Sequence, residues 1–289
     1  MALRLLVSDV GNGTLTAYDA QTLAPLATQD IPGAGALCPW HGAVLCADSA
    51  DDCVRVLDAD TLRTQRVLPA GPGIRALRPG MDGASLYALA SDADSLLKLD
   101  VTDGSLQMLA RVGVQPRDMA LDASGRLLAV AGGASCCVHI LRSDTLAPAA
   151  TIDVDGIAVG VCFGPGALWA LCAVGQEEMS SCLMRVRIGN WRTERVLRLE
   201  GMPGGLIGLP DEGVLIGLLD GVLYVAKHGK RAAWRIPLEG ALPDTAARSG
   251  ARVYWCDALG SRIWTVHSAS AYAQPCQLAT EEPSGILLL

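Results

Sequence analysis

Aromatic residues are scarce in this 289-residue chain, at 4% with a single Phe. A surface that binds single-stranded nucleic acid needs rings interleaved with its Lys and Arg. No basic stretch is interleaved with a run of aromatics, so no nucleic-acid partner is expected. No window holds a 3.6-residue apolar period over helical length, which predicts almost no helix. Long apolar runs are also missing: the longest region, Gly204–Ala226, is broken by Asp211, Glu212 and Asp220, which excludes a transmembrane helix. The opening MALRLLVSDVGNG has about five or six apolar residues before Asp9, too few for the core of an export signal. The expectation is a soluble, cytoplasmic protein with no membrane partner.

Familiar catalytic and metal signatures are absent too. There is no G-x-S-x-G, no H-E-x-x-H and no phosphate loop. The ten Cys form no C-x-x-C, and no His lies three to five residues from another. Most Cys sit in apolar strand-like segments such as AVLCAD, CCVHIL, GVCFG, WALCAV and VYWCD, where a thiol serves as a small hydrophobe. Reduced core thiols and no metal site follow, with Cys136 and Cys137 read as strand neighbours facing opposite sides. The acidic run Asp48–Asp52 reads as a solvated turn and fails as an EF-hand loop, because Cys53 stands at its sixth position and Ala59 at its twelfth, where Gly and Glu are needed. Asn12–Gly13 reads as a hairpin turn, and His41, His139, His228 and His267 are scattered.

What the chain has instead is a repeat of about 40 residues, with 32 Gly and 15 Pro punctuating short apolar runs. The segments YDAQTL, LDADTL, LDVTDG and LRSDTL place Asp19, Asp58, Asp100 and Arg142 at intervals of 39, 42 and 42 residues. Thr14–Tyr18, Cys53–Leu57, Ser95–Leu99 and Cys137–Leu141 read as strands within these units. Seven units fit the length. The first lacks its opening strand, since LRLLVSD matches the second strand of the other units. The terminal EPSGILLL matches their first strands, so both ends are expected to share one unit and close a ring.

The units resemble the YVTN/YncE-type seven-bladed β-propeller repeats, which run P-x-x-hydrophobic, D-G-x-x-hydrophobic, a short loop, V-x-V-x-D and a T-G or T-L turn. The match spans essentially the whole chain and is clearest in units two to four. WD40 repeats are a poorer match, because the G-H and W-D landmarks are missing. The resemblance implies an all-β fold of seven four-stranded antiparallel blades. It implies one propeller domain over 1–289, with blade 1 shared between about 1–32 and 283–289.

In such a meander, the loops joining second to third strands and those joining successive blades emerge at one end of the ring. That end collects more than half of the thirty acids. Asp48, Asp51, Asp52, Asp92, Asp94, Glu177 and Glu178 form its centre. Arg63, Arg66, Arg126, Arg142, Arg187, Arg192, Arg195, Lys227, Lys230, Arg231 and Arg248 are assigned to the opposite end or the outer strands. A polarised ring steers cationic partners, so the first functional expectation is a non-catalytic scaffold binding a basic protein or peptide at the acidic face. It would act as a monomer without a cofactor. Arg75, Arg117, Asp118, Asp244 and Ser284 fall near the starts of the innermost strands and form a candidate small-molecule site at the channel mouth; the alternative is a propeller enzyme resembling lactonases or lyases, working there. An enzyme should bring a carboxylate and an Arg within hydrogen-bond reach of one cavity.

Overall fold

The computed structural model describes residues 3–175, 180–209, 213–226, 234–276, 278 and 280–289, with the Arg195 side chain excepted. Among the described residues there are twenty-eight strands and no helix, arranged as seven four-stranded antiparallel sheets. Blade 1 is built from β28 (Pro283–Leu288), β1 (Arg4–Asp9), β2 (Thr14–Asp19) and β3 (Pro25–Asp30) in that order, so the C-terminal strand closes the ring. Leu5, Leu6 and Val7 pair with Leu288, Leu287 and Ile286. The remaining blades follow in sequence. Their inner strands are β4 (Ala34–Trp40), β8 (Ile74–Pro79), β12 (Asp118–Leu121), β16 (Ile157–Gly164), β20 (Pro203–Gly208) and β24 (Pro243–Ser249).

The core is divided into seven apolar layers, one in each seam between blades. Middle strands are sandwiched on both faces, which explains why they read as continuous apolar runs rather than alternating ones. In β5 (Ala43–Asp48) and β9 (Ser85–Ala90) every residue is buried, whereas β3 and β11 (Leu106–Arg111) on the rim alternate between exposed and half-buried. The D-x-x-T-L motif is an Asx turn. Asp19 Oδ1 accepts hydrogen bonds from the backbone amides of Gln21 and Thr22 and from the Thr22 hydroxyl, and Asp58 repeats the pattern. The Leu that follows adopts positive φ, +59° at Leu23 and +58° at Leu62. Leu62 is fully buried and packs into the seam between blades 1 and 2.

One local expectation differs. Strand β14 (Cys137–Arg142) starts at Cys137, while Cys136 occupies an exposed turn at φ +52°. The tight turn, rather than strand alternation, separates the two thiols.

Candidate functional site

The inner strands line a central channel of about 490 Å³. Six of the seven carry a register shift against their neighbour. A bulge leaves a residue out of the ladder and re-aims its side chain. Arg75 lies unpaired between Ile74 and Ala76, Asp244 and Thr245 between Pro243 and Ala246, and Ser284 between Pro283 and Gly285. The bulges thus place these side chains at the wall of the channel. Arg75, Arg117, Asp118, Asp244 and Ser284 all line it, joined by Arg78 and Arg248.

Arg75 and Asp244 are 169 residues apart in sequence, on blades 3 and 7, and their Nη2 and Oδ2 atoms meet at 3.1 Å across the ring. Gly205, on the inner strand of blade 6, lets that strand pack against the Asp244 backbone: a Cβ at that position would stand 1.6 Å from the Asp244 carbonyl oxygen. Arg78 Nη2 lies 3.6 Å from Asp118 Oδ1. The Asp118 carboxylate also accepts from the amides of Met119 (2.8 Å) and Val161 (3.0 Å), linking blades 4 and 5. Enclosure by the channel wall raises the Asp118 pKa, against the lowering pull of Arg78 and these amides. Its side chain is still 23% exposed, because the channel admits water to a group surrounded by protein. Arg117 is exposed, and its guanidinium has no ion pair or hydrogen bond among the described residues. Arg248 donates to the Gly250 carbonyl at 3.3 Å. Ser284 is committed to structure: its hydroxyl donates to Ala34 O at 2.6 Å and sits 3.2 Å from Ser8 Oγ. No histidine lines the channel among the described residues.

The acidic end is less uniform than its sequence implies. Asp51, Asp52 and Asp92 are exposed. Asp94 is half-buried and accepts from the Gln115 amide at 2.8 Å. Asp48 is the exception, at 1% exposure. It ends β5, accepts from Ala50 N at 3.1 Å, and receives Arg55 Nε at 2.7 Å. Burial beside a guanidinium takes this carboxylate off the rim. Arg55 also contacts Asp51. The ligand atoms of Asp48, Asp51 and Cys53 lie within 4.8 Å of one another, and Arg55 supplies the cation between the two carboxylates. Glu177 and Glu178 lie outside the described residues.

Four arginines therefore face two aspartates in one cavity, and their signal in the sequence was partial. Arg78 and Arg248 stand near the ends of inner strands, in IRALRP and DTAARS, so Arg248 lines the channel rather than belonging only with the outer bases, and a polar residue at an inner-strand position was the available clue.

No family model and no curated protein matches the chain. The fold has many solved counterparts. A protein of unknown function from Desulfotomaculum acetoxidans superposes at TM-score 0.82 with 8% identity, covering 99% of this chain and 98% of its own. A proposed 6-phosphogluconolactonase from Bacteroides uniformis superposes at 0.78 with 11% identity over 99% of both chains. Hydrazine synthase of Kuenenia stuttgartiensis superposes at 0.72 with 15% identity, over 83% of this chain and 78% of its own. At these identities the likeness establishes the seven-bladed fold and leaves the chemistry to the residues of this chain.

Proposed function

We propose that the protein is a ligand-binding propeller whose central channel takes a small organic anion, a carboxylate or a phosphate ester. The observation that carries this reading is the Arg75–Asp244 pair, which two bulged strands bring together across the channel. Around it, Arg78, Arg117 and Arg248 leave positive charge in excess of Asp118 and Asp244. Guanidinium groups suit this task because their planar fork matches carboxylate and phosphate oxygens. Low-dielectric walls focus their field along the channel. Asp244 orients Arg75, and Arg117 is free to engage the ligand. Asp118 holds its proton more tightly than an ordinary carboxyl, so it can donate a hydrogen bond to a bound oxygen or act as a general acid if the ligand is turned over.

The test is thermal-shift screening of wild type and an Arg75→Gln/Arg117→Gln variant against a panel of carboxylates and phosphate esters. At least one compound should stabilise wild type and leave the variant unmoved, since a ligand stabilises only the state that binds it. A panel that stabilises both proteins equally, or neither, would overturn the reading.

A basic peptide at the acidic rim is the second reading, supported by the exposure of Asp51, Asp52 and Asp92 on two adjacent blades. Its association would weaken as salt shortens the screening length from about 10 Å at 0.1 M. An Asp51→Asn/Asp92→Asn variant tests it in a pulldown at two salt concentrations. Identical partners in all conditions would remove this reading.

A further inference from the structure

A second cavity of about 630 Å³ opens at the opposite end of the ring, over the seam between blades 3 and 4. Its walls include Asp82, Tyr87, Lys98, Arg126, Arg142 and Trp191. Lys98 is the unexpected member. It lies in β10 (Ser95–Asp100), and its counterparts in the matching strands of blades 1, 2 and 4 are Ala17, Val56 and Ile140, each fully buried against the next blade. Lys98 is only 9% exposed. Among the described residues its ammonium has no ion pair or hydrogen bond, only the face of Tyr87, 5.8 Å from the ring centroid.

The Lys98 stem is buried in the seam while its ammonium faces the cavity without a protein acceptor among the described residues, and long charged side chains rarely persist at such sites without a partner. Asp82 lies near enough for the Lys98 charge to help lower its pKa, after burial, which raises it, and Ser85 and Ala84, which lower it. Its oxygens are already taken by the Ser85 amide, the Ser85 hydroxyl and the Ala84 amide. Arg126 and Arg142 add two more cations, neither with a side-chain ion pair among the described residues, so three cations face Asp82 and Asp144. Tyr87 donates to Ser143 O at 2.7 Å, which ties blade 3 to blade 4 across the seam. Trp191 sits in the blade 5 turn at φ +55° and gives the cavity a flat apolar wall.

We infer that this seam is a second ligand site, separate from the channel, for a small anion carrying a planar apolar group such as an aryl phosphate. Its anionic oxygens would accept from Lys98, with Arg126 and Arg142 as flanking donors. The planar group would lie against Trp191.

Isothermal titration with phenyl phosphate and with inorganic phosphate tests this on wild type, Lys98→Met and Arg75→Gln. Wild type should show saturable binding of phenyl phosphate, tighter than that of inorganic phosphate. Lys98→Met should weaken it by about tenfold or more, about 1.4 kcal/mol, while Arg75→Gln leaves this site unchanged whether or not the channel binds anything. The melting temperature of Lys98→Met should stay level or rise, because Met fills an apolar position; stability and binding then move in opposite directions, as at a site kept for function. Absence of saturable binding, equal affinity in wild type and Lys98→Met, or equal affinity for both probes would overturn the proposal.

Discussion

The carboxylate of Asp9 accepts a hydrogen bond from the backbone amide of Glu282 at 2.8 Å, joining two points 273 residues apart. Its second oxygen accepts from Glu281 N, also at 2.8 Å, and Val10 N donates to Glu282 O at 3.0 Å. Asp9 therefore orients the chain as it enters β28, where the ring closes.

Replacing Asp9 with Ala should destabilise the protein by about 2 kcal/mol, the range for hydrogen bonds to a charged acceptor. Burial raises the Asp9 pKa, but the amides of Glu282, Glu281 and Asn12 and the Asn12 side chain outweigh it, so the net shift is downward. A depressed folded value means the stabilisation is present above the ordinary value of 3.8 and is lost as pH falls through the lower folded value. Melting curves against pH should therefore show wild type and Asp9→Ala converging below about pH 4. Parallel curves down to the lowest pH would show that the carboxylate charge plays no part in closure.

Deleting residues 285–289 removes most of the inner strand of blade 1, including Ile286, which is 5% exposed. Each buried Ile or Leu lost costs roughly 1.5–3 kcal/mol. The truncated protein should unfold or aggregate, and an unchanged melting temperature would show that the C-terminal strand contributes no closure energy.

The channel predicts a pH effect of opposite sign. Asp118 has a folded pKa above its unfolded value, so ionising it costs more in the folded protein. As pH rises from the ordinary value of 3.8 through the raised folded value, wild type should lose stability relative to Asp118→Asn. Thermal melts of both proteins across that window measure the difference directly. A gap that widens in favour of wild type as pH rises would place the Arg78 attraction above the cost of enclosure.

Gly205→Ala should destabilise the protein by a few kcal/mol, because the added methyl meets the Asp244 carbonyl in a packed seam. The Arg75–Asp244 contact should be lost as β24 shifts. Urea denaturation reads the first effect, and anion binding in the channel reads the second. Wild-type values for both would mean the seam relaxes without moving Asp244.

The thiols should react in a defined order. Burial pushes Cys38, Cys46 and Cys172 up to about 12, and Cys162 and Cys256 higher still. A thiol held protonated and buried is a poor nucleophile. Cys136, in its exposed turn, should react first with a disulfide reagent, half-buried Cys162 at the channel wall more slowly, and the eight buried thiols only after denaturant is added. Fast native-state labelling of Cys46 or Cys256 would contradict the packing of the blades.

The amino-acid sequence by itself determined the ring. A strand pattern repeated about every 40 residues cannot bury both faces of a blade without neighbours, so units must stack, and the missing first strand of LRLLVSD finds its partner in EPSGILLL. The Asx turns were equally legible, because Asp19 and Asp58 bond to amides only two and three residues away. Strand ends near the axis also marked Arg75, Arg117, Asp118, Asp244 and Ser284 as channel residues. Tertiary structure alone decided which of these meet. Arg75 touches Asp244 because bulges in two separate strands turn both side chains to the channel, and Gly205 lets the blade 6 strand pack against Asp244. Ser284 is instead held by Ala34 O and Ser8. It likewise decided that Asp48, in an acidic run that reads as a solvated turn, is buried against Arg55, and that Lys98, the basic residue of SLLKLD, stands over Tyr87 in an apolar seam. Local patterns fix contacts a few residues apart; cross-ring pairs and seam residues depend on register and packing summed over all seven blades.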